Sequence, residues 1–269
     1  MKRWVEMKLS SLFLRLLENE HKKILKLKST WIIFFTIAMI VCCAGYLEYR
    51  YLNKQGAPVG GGNVWTFINF LQNVSIFIGL STISFASSIL PKEFTLGTIK
   101  LLMIRPARRT TILLSKYVTV LSFMVLFYLT LFISGFVAAG AVYGFATISQ
   151  TSLPTDMGQA NLLIETLDAY GKGMLEIVMY ATLAFMLSVL FRSTSLAMGI
   201  TIPLYFIGGS IAMLIQQYSW AKYTLFVSLA LDSAPFGKGT SLGFSLMMLA
   251  LYFCLFLAVA LFSFQKRDV

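Results

Sequence analysis

Six stretches of this sequence hold no charged side chain: Ser29–Leu47, Gln55–Pro91, Tyr117–Thr155, Ile177–Phe191, Ser193–Ala221 and Gly239–Gln265. A helix needs about 20 predominantly apolar residues to cross a bilayer core. Lipid leaves backbone groups no partner but one another, so a single apolar stretch crosses as a helix. Each of the six holds one crossing. The fourth is the shortest, and it reaches across when extended back to Gly173, which places Glu176 near a headgroup rather than at the costly midplane. The sequence therefore predicts an all-α polytopic membrane protein. Its crossings are expected near 30–48, 66–90, 112–144, 173–191, 195–217 and 241–264, after a cytoplasmic amphipathic segment, 1–28; residues 29–269 form one transmembrane domain.

Composition agrees. Hydrophobic residues make up 58% of the chain and charged ones 12%, against about 25% charged in a soluble domain. The net charge of +11 is placed by topology rather than by nucleic acid. With six crossings, seventeen Lys and Arg fall on the side of both termini and five on the other. The excess marks the cytoplasmic side, so both termini are expected there, in the cell membrane. Five crossings would send Lys266 and Arg267 outward and weaken the asymmetry. Cys42, Cys43 and Cys254 lie inside apolar runs, an odd number without metal-binding spacing. No cleavable signal peptide is expected, because the first 28 residues are charged throughout.

Before the first crossing, Leu9, Leu12, Phe13, Leu16, Leu17 and Ile24 share a helical face, with Lys8, Arg15, Lys22, Lys23 and Lys26 around it. That pattern fits a basic amphipathic helix in the bilayer interface, either an anchor alone or one that also meets a cytosolic partner. His21, with no second His and no nearby Cys, reads as a solvated interfacial side chain. Between crossings three and four, Asp156 and Gln159 resemble a capping pair and Gly171 a stop, predicting a short amphipathic helix on the outer face. Tyr218, Trp220, Tyr223 and Phe226 suit an aromatic belt, and the apolar stretch after them is too short to cross.

Some chemistry is absent. Gly171-Lys172 and Gly237-Lys238 are each followed by Gly, so no phosphate-binding loop exists. There is no HExxH, no CxxC and no pair of carboxylates within a crossing, so no catalytic, cofactor or metal residue is expected. Ion-driven carriers usually place ionisable residues inside the membrane, and these crossings are nearly bare of them. Energy for any transport must come from elsewhere.

The most distinctive stretch is the cytoplasmic loop after the second crossing, Pro91 to Arg109. Pro91 suits a helix start, Gly97 permits a bend and Pro106 stops what precedes it. One or two short helices are expected along the membrane, with Leu101, Leu102 and Ile104 inward and Glu93 and Thr98 free toward the cytosol. The order Glu93, Gly97, Thr98, Leu101, Leu102, Pro106, Arg109 and Lys116 resembles the first cytoplasmic loop of the permease subunits of type-2 ATP-binding cassette (ABC) exporters. The closing Phe264 to Val269, an apolar helix running into a basic-Asp tail, is similar to that family's ending. The resemblance extends over the whole chain, although the outer segments are too modest for members with large extracellular insertions.

The resemblance implies a function. The loop would be a coupling helix seated on a separate nucleotide-binding subunit that binds ATP-Mg, while this chain, itself no enzyme, pairs with a second permease copy or a paralogue. Expected cargo is amphipathic or apolar: an antimicrobial peptide, a drug or a lipid-like molecule. The competing readings are a membrane scaffold or sensor without transport, and an ion-coupled carrier. In the second crossing Asn69, Gln72 and Asn73 share a face, which either bonds to neighbouring helices or lines a conduit. Gly140 and Gly144 form a GxxxG pair in the third, and Pro203 with Gly208-Gly209-Ser210 would kink the fifth or admit a close neighbour.

Overall fold

The computed structural model describes residues 2–54, 64–97, 109–144, 159–230 and 242–266. All regular structure among them is helical, with no strand. Helix α1 (Lys2–Leu25) precedes α2 (Lys28–Lys54). The second crossing is assembled from α3 (Val64–Phe70), a 3-10 turn (Leu71–Val74) and α4 (Ser75–Ser88), and leads into the short α5 (Pro91–Thr95). Then come α6 (Arg109–Tyr143), α7 (Gln159–Phe191), α8 (Thr194–Ile215), a second 3-10 turn (Ala221–Tyr223), α9 (Leu225–Leu229) and α10 (Leu242–Lys266). Among the described residues, six runs are long and apolar enough to cross a membrane: Lys28–Tyr51, Val64–Thr95, Arg109–Tyr143, Leu163–Phe191, Thr194–Ile215 and Leu242–Lys266.

Packing divides the chain into two compact units. The first holds Met1–Lys26, Gly79–Ser122 and Leu175–Val269; the second holds Leu27–Ile78 and Phe123–Met174. The second crossing, α6 and α7 each contribute to both, so the division does not follow the sequence. In the first unit, Ile83, Leu90, Leu113, Tyr117, Phe185 and Phe264 form part of one buried cluster. Around it the Tyr117 and Thr182 hydroxyls hydrogen-bond at 2.6 Å, and Ser188 Oγ donates to the Ala86 carbonyl of α4 at 3.4 Å. Between helices in lipid, close packing and such bonds supply the cohesion that the hydrophobic effect supplies in water. Gly208 shows the packing: a Cβ there would overlap the Tyr180 hydroxyl and press on Phe226 at 3.2 Å.

In the second unit, α2 and α6 run side by side in the same direction. Phe34 meets Phe127 edge-on at 4.8 Å, a Cβ on Gly45 would touch Ala138 at 3.4 Å, and Tyr143 Oη donates to Glu48 at 3.0 Å. The pairs advance together along both helices. The second crossing and α7 are joined by two hydrogen bonds: Tyr170 Oη donates to the Ile68 carbonyl at 3.2 Å, and Gln72 Nε2 to the Ala169 carbonyl at 3.2 Å.

Two expectations about helix ends are corrected. The segment after Gln159 is not a separate outer helix stopped at Gly171; it is continuous with the fourth crossing in α7. Gly171, expected to end a helix, lies inside α7, and two residues on Gly173 serves close approach, since a Cβ there would overlap the Gln72 amide and stand 3.0 Å from the Tyr128 hydroxyl. Conversely, Gly144 of the GxxxG pair is a terminator. It adopts φ +80° and its N–H caps the Gly140 carbonyl at 2.9 Å, the left-handed helix end that glycine favours. Asp156 and Gly60–Gly62 lie outside the described residues.

Candidate functional site

Helix α5 is the centre of the site. Pro91 occupies its first turn, where a missing N–H costs nothing. At its other end Leu96 N–H returns to the Lys92 carbonyl at 3.0 Å, and Gly97 then turns away with φ +66°. That left-handed conformation suits a glycine.

Glu93, expected to be free toward the cytosol, is buried, with 3% of its surface exposed. Its Oε1 accepts from Lys23 of α1 and from Lys116 of α6, the latter at 3.2 Å. Lys116 is fully buried, and its ammonium also donates to Glu20 of α1 at 2.8 Å. Two carboxylates thus flank one buried ammonium, and Lys23, more than half exposed, closes the cluster from the rim. The cause is geometric. Ile112, Leu113, Tyr117 and Val120 of α6 are all buried, and Lys116 lies on that same stripe, so it must meet its counter-charge inside. A buried charge left without its partner costs about 3–5 kcal/mol, so α1, α5 and α6 hold one another in place here.

Glu20 and Lys23 did not stand out in the sequence. A signal was present: Phe13, Leu16, Leu17, Glu20, His21 and Ile24 follow the i, i+3, i+4 spacing of the inward face of α1. Glu20 and His21 are the polar interruptions of that stripe. His21 is accordingly not a lone solvated ring; its Nδ1 contacts the Leu17 carbonyl at 2.8 Å and its Nε2 the Ser122 hydroxyl at 2.6 Å. The outward Glu18 differs. It pairs with Lys22 at 2.5 Å in solvent, and that hydrogen bond, with the Lys22 charge, holds its carboxyl below the usual range.

Two more ties reach the elbow. The Arg192 guanidinium stands 4.7 Å from the centroid of the Phe94 ring, from a two-residue connection between α7 and α8 in which Arg192 itself has φ +52°. Ser193 Oγ starts α8 by accepting from Leu196 N–H. Arg109 donates to the Gln265 carbonyl at 3.4 Å in the last turn of α10, a group with no partner inside its own helix. The exposed surface of α5 and its end is formed by Lys92, Thr95, Leu96 and Gly97, and Leu96 is 70% exposed. Thr98, Leu101, Leu102 and Pro106 lie outside the described residues.

The structure brings together Glu93 and Lys116 from the motif and places Arg109 at the end of α10. It puts Asn69, Gln72 and Asn73 elsewhere, in the second unit around the 3-10 turn. Asn73 Nδ2 donates to the Phe70 carbonyl at 2.8 Å, a local bond that competes with α-helical geometry. Gln72 bonds across to α7 while its Oε1 has no hydrogen-bond partner among the described residues; Asn69 is half-buried. Among the described residues no group of three or more His, Cys, Asp or Glu is placed to hold a metal.

A family model described as "Protein of unknown function (DUF2705)" matches residues 26–269. The chain belongs to the DUF2705 family. Among its relatives, "Uncharacterized protein YhcI" of Bacillus subtilis (strain 168) is 41% identical over 241 residues, spanning 84% of this chain and 77% of that protein. "Uncharacterized membrane protein YdbK" of the same organism is 25% identical over 245 residues, spanning 87% and 96%. For this DUF2705 member the match takes in α5, Glu93 and Lys116 but begins just after α1, so Glu20 and Lys23 precede the matched residues.

Proposed function

We propose that this chain is the non-hydrolysing permease subunit of an ATP-driven exporter in the cell membrane. In this reading both termini are cytoplasmic. A separate nucleotide-binding subunit, carrying ATP-Mg, seats on α5, and a second permease copy or paralogue completes the conduit. The cargo class is an amphipathic or apolar molecule such as an antimicrobial peptide, drug or lipid-like compound. The observation that carries the proposal is the locking of α5: Glu93 is buried against Lys116 of α6 and Lys23 of α1. A five-residue helix so held cannot shift alone, and a push on it is passed to α6 and α1. The co-directional pairs between first and third crossings support alternating passes.

Because Glu93 is turned inward, the partner surface in this proposal is Lys92, Thr95 and Leu96. Leu96→Asp places a charge where the partner would bury an apolar side chain. It should reduce co-purification with the nucleotide-binding subunit at least about tenfold, equivalent to about 1.4 kcal/mol, while leaving membrane insertion and thermal unfolding unchanged. ATPase activity that depends on assembly with the wild-type chain should fall with it. Normal co-purification and unchanged ATPase activity in Leu96→Asp would overturn the proposal.

A further inference from the structure

In the second unit, a cleft of about 560 Å³ lies along the seam between α2 and α6. Its walls are Gly45, Val137, Ala138 and Ala141, with Tyr46 and Tyr49 toward the C-terminal end of α2. The walls offer almost nothing polar to a ligand: Ser134, which also lines the cleft, turns its hydroxyl onto the Thr130 carbonyl of its own helix at 2.7 Å. Both helices are long and apolar enough to cross a membrane, so the cleft opens where acyl chains lie. Charge appears at the rim. Arg50 Nη1 donates to the Tyr46 hydroxyl at 3.3 Å, and its guanidinium lies 6.0 Å from that ring's centroid. Among the described residues no carboxylate forms an ion pair with Arg50, and Glu48 instead accepts from Tyr143. Lys54 follows one turn later, at the helix end.

We infer that this cleft is a binding site for one anionic phospholipid, an acyl chain lying along the exposed Val137 and Ala141 and its phosphate held by Arg50. The two ends of such a molecule match the two ends of the site. Small residues make room for a methylene chain at van der Waals distance. A guanidinium that no carboxylate among the described residues pairs with, at the level of interfacial tyrosines, meets a phosphate with charge-assisted hydrogen bonds. A zwitterionic lipid gains the same apolar contact but less from Arg50, so the site discriminates by headgroup. The inference is independent of the exporter proposal, since it requires only that α2 and α6 cross the membrane.

The test is photolabelling of the full chain in phosphatidylcholine vesicles. A diazirine on the acyl chain is carried by a phosphatidylglycerol probe or by an otherwise identical phosphatidylcholine probe. Labelled positions are read by mass spectrometry. The glycerol-headed probe is expected to label Val137–Ala141 about tenfold more than the choline-headed one, whose ammonium offsets the attraction of its phosphate for Arg50. Arg50→Gln should abolish that preference, and Ala141→Phe, which fills the cleft from an exposed position, should lower labelling by both probes. Labelling of the exposed α10 residues Leu246 and Leu251 should stay constant, showing that the variants fold. Equal labelling by the two probes, or a preference that survives Arg50→Gln, would overturn the inference. So would a crosslink between Cys42 residues of two copies, in a chain carrying Cys43→Ser and Cys254→Ser, that excludes the probe: the occupant would then be a second copy.

Discussion

The surroundings of Glu93 and those of Gln72 solve the same problem by different means. Around Glu93, long charged side chains reach from α1 and α6 to a short helix, and the cluster holds because opposite charges are buried together. Around Gln72, a glycine lets the backbone of α7 come close, and one neutral hydrogen bond to the Ala169 carbonyl joins the helices. Charge concentrates where a short element is held between longer helices, whereas small residues suffice where long helices lie along one another. The first arrangement is intolerant of losing a partner; the second is intolerant of gaining an atom.

The largest effect is expected from Lys116→Ala, which removes the buried ammonium that Glu20 and Glu93 share and leaves Glu93 with the more than half-exposed Lys23. It should cost about 3–5 kcal/mol, visible as a lower thermal unfolding midpoint of the detergent-solubilised chain. Lys116→Met combined with Glu93→Gln, which removes both buried charges, should recover most of that loss; failure to recover would mean that the cluster does more than balance charge. Next, Gly173→Ala should cost about 1–3 kcal/mol by overpacking against Gln72 and Tyr128, while Gly171→Ala, with nothing within 4 Å of its Cβ, should stabilise α7 by up to about 1 kcal/mol. Equal effects at the two glycines would refute the close-approach account.

A smaller change is expected for Gln72→Leu. It loses the bond to Ala169 but also removes a buried oxygen that has no hydrogen-bond partner among the described residues, leaving stability within about 1 kcal/mol of wild type. A loss of cargo flux at unchanged stability would then assign Gln72 to the conduit rather than to packing. The smallest effect belongs to Arg192→Gly. Relief of the left-handed backbone, about 1–2 kcal/mol, offsets loss of the cation–π contact with Phe94, about 0.5–2 kcal/mol, so the unfolding midpoint should hardly move.

The crossings were legible because a charge-free run long enough to span lipid has few other uses, and the six apolar helices fall where those runs lie. Pro91 and Gly97 were legible as punctuation, for each constrains the backbone locally. Lys116, Glu20 and His21 were harder, because a polar residue on an apolar stripe looks like noise until its partner on another helix is known. Glu93 was misread for the same reason: its type suggests solvent, and its burial depends on Lys23, 70 positions earlier. Gly171 and Gly173 differ by one intervening residue yet have opposite surroundings, and only the neighbouring helices distinguish them.

Helix α6 carries one further consequence. Its 35 residues make a rod of about 52 Å at about 1.5 Å per residue, and the hydrocarbon layer is only about 30 Å thick. Such a rod must lean or stand proud of the layer, and each ångström of mismatch carries a small energy. Bilayer thickness therefore becomes a physical input to this protein, acting on the same rod whose second turn bears Lys116.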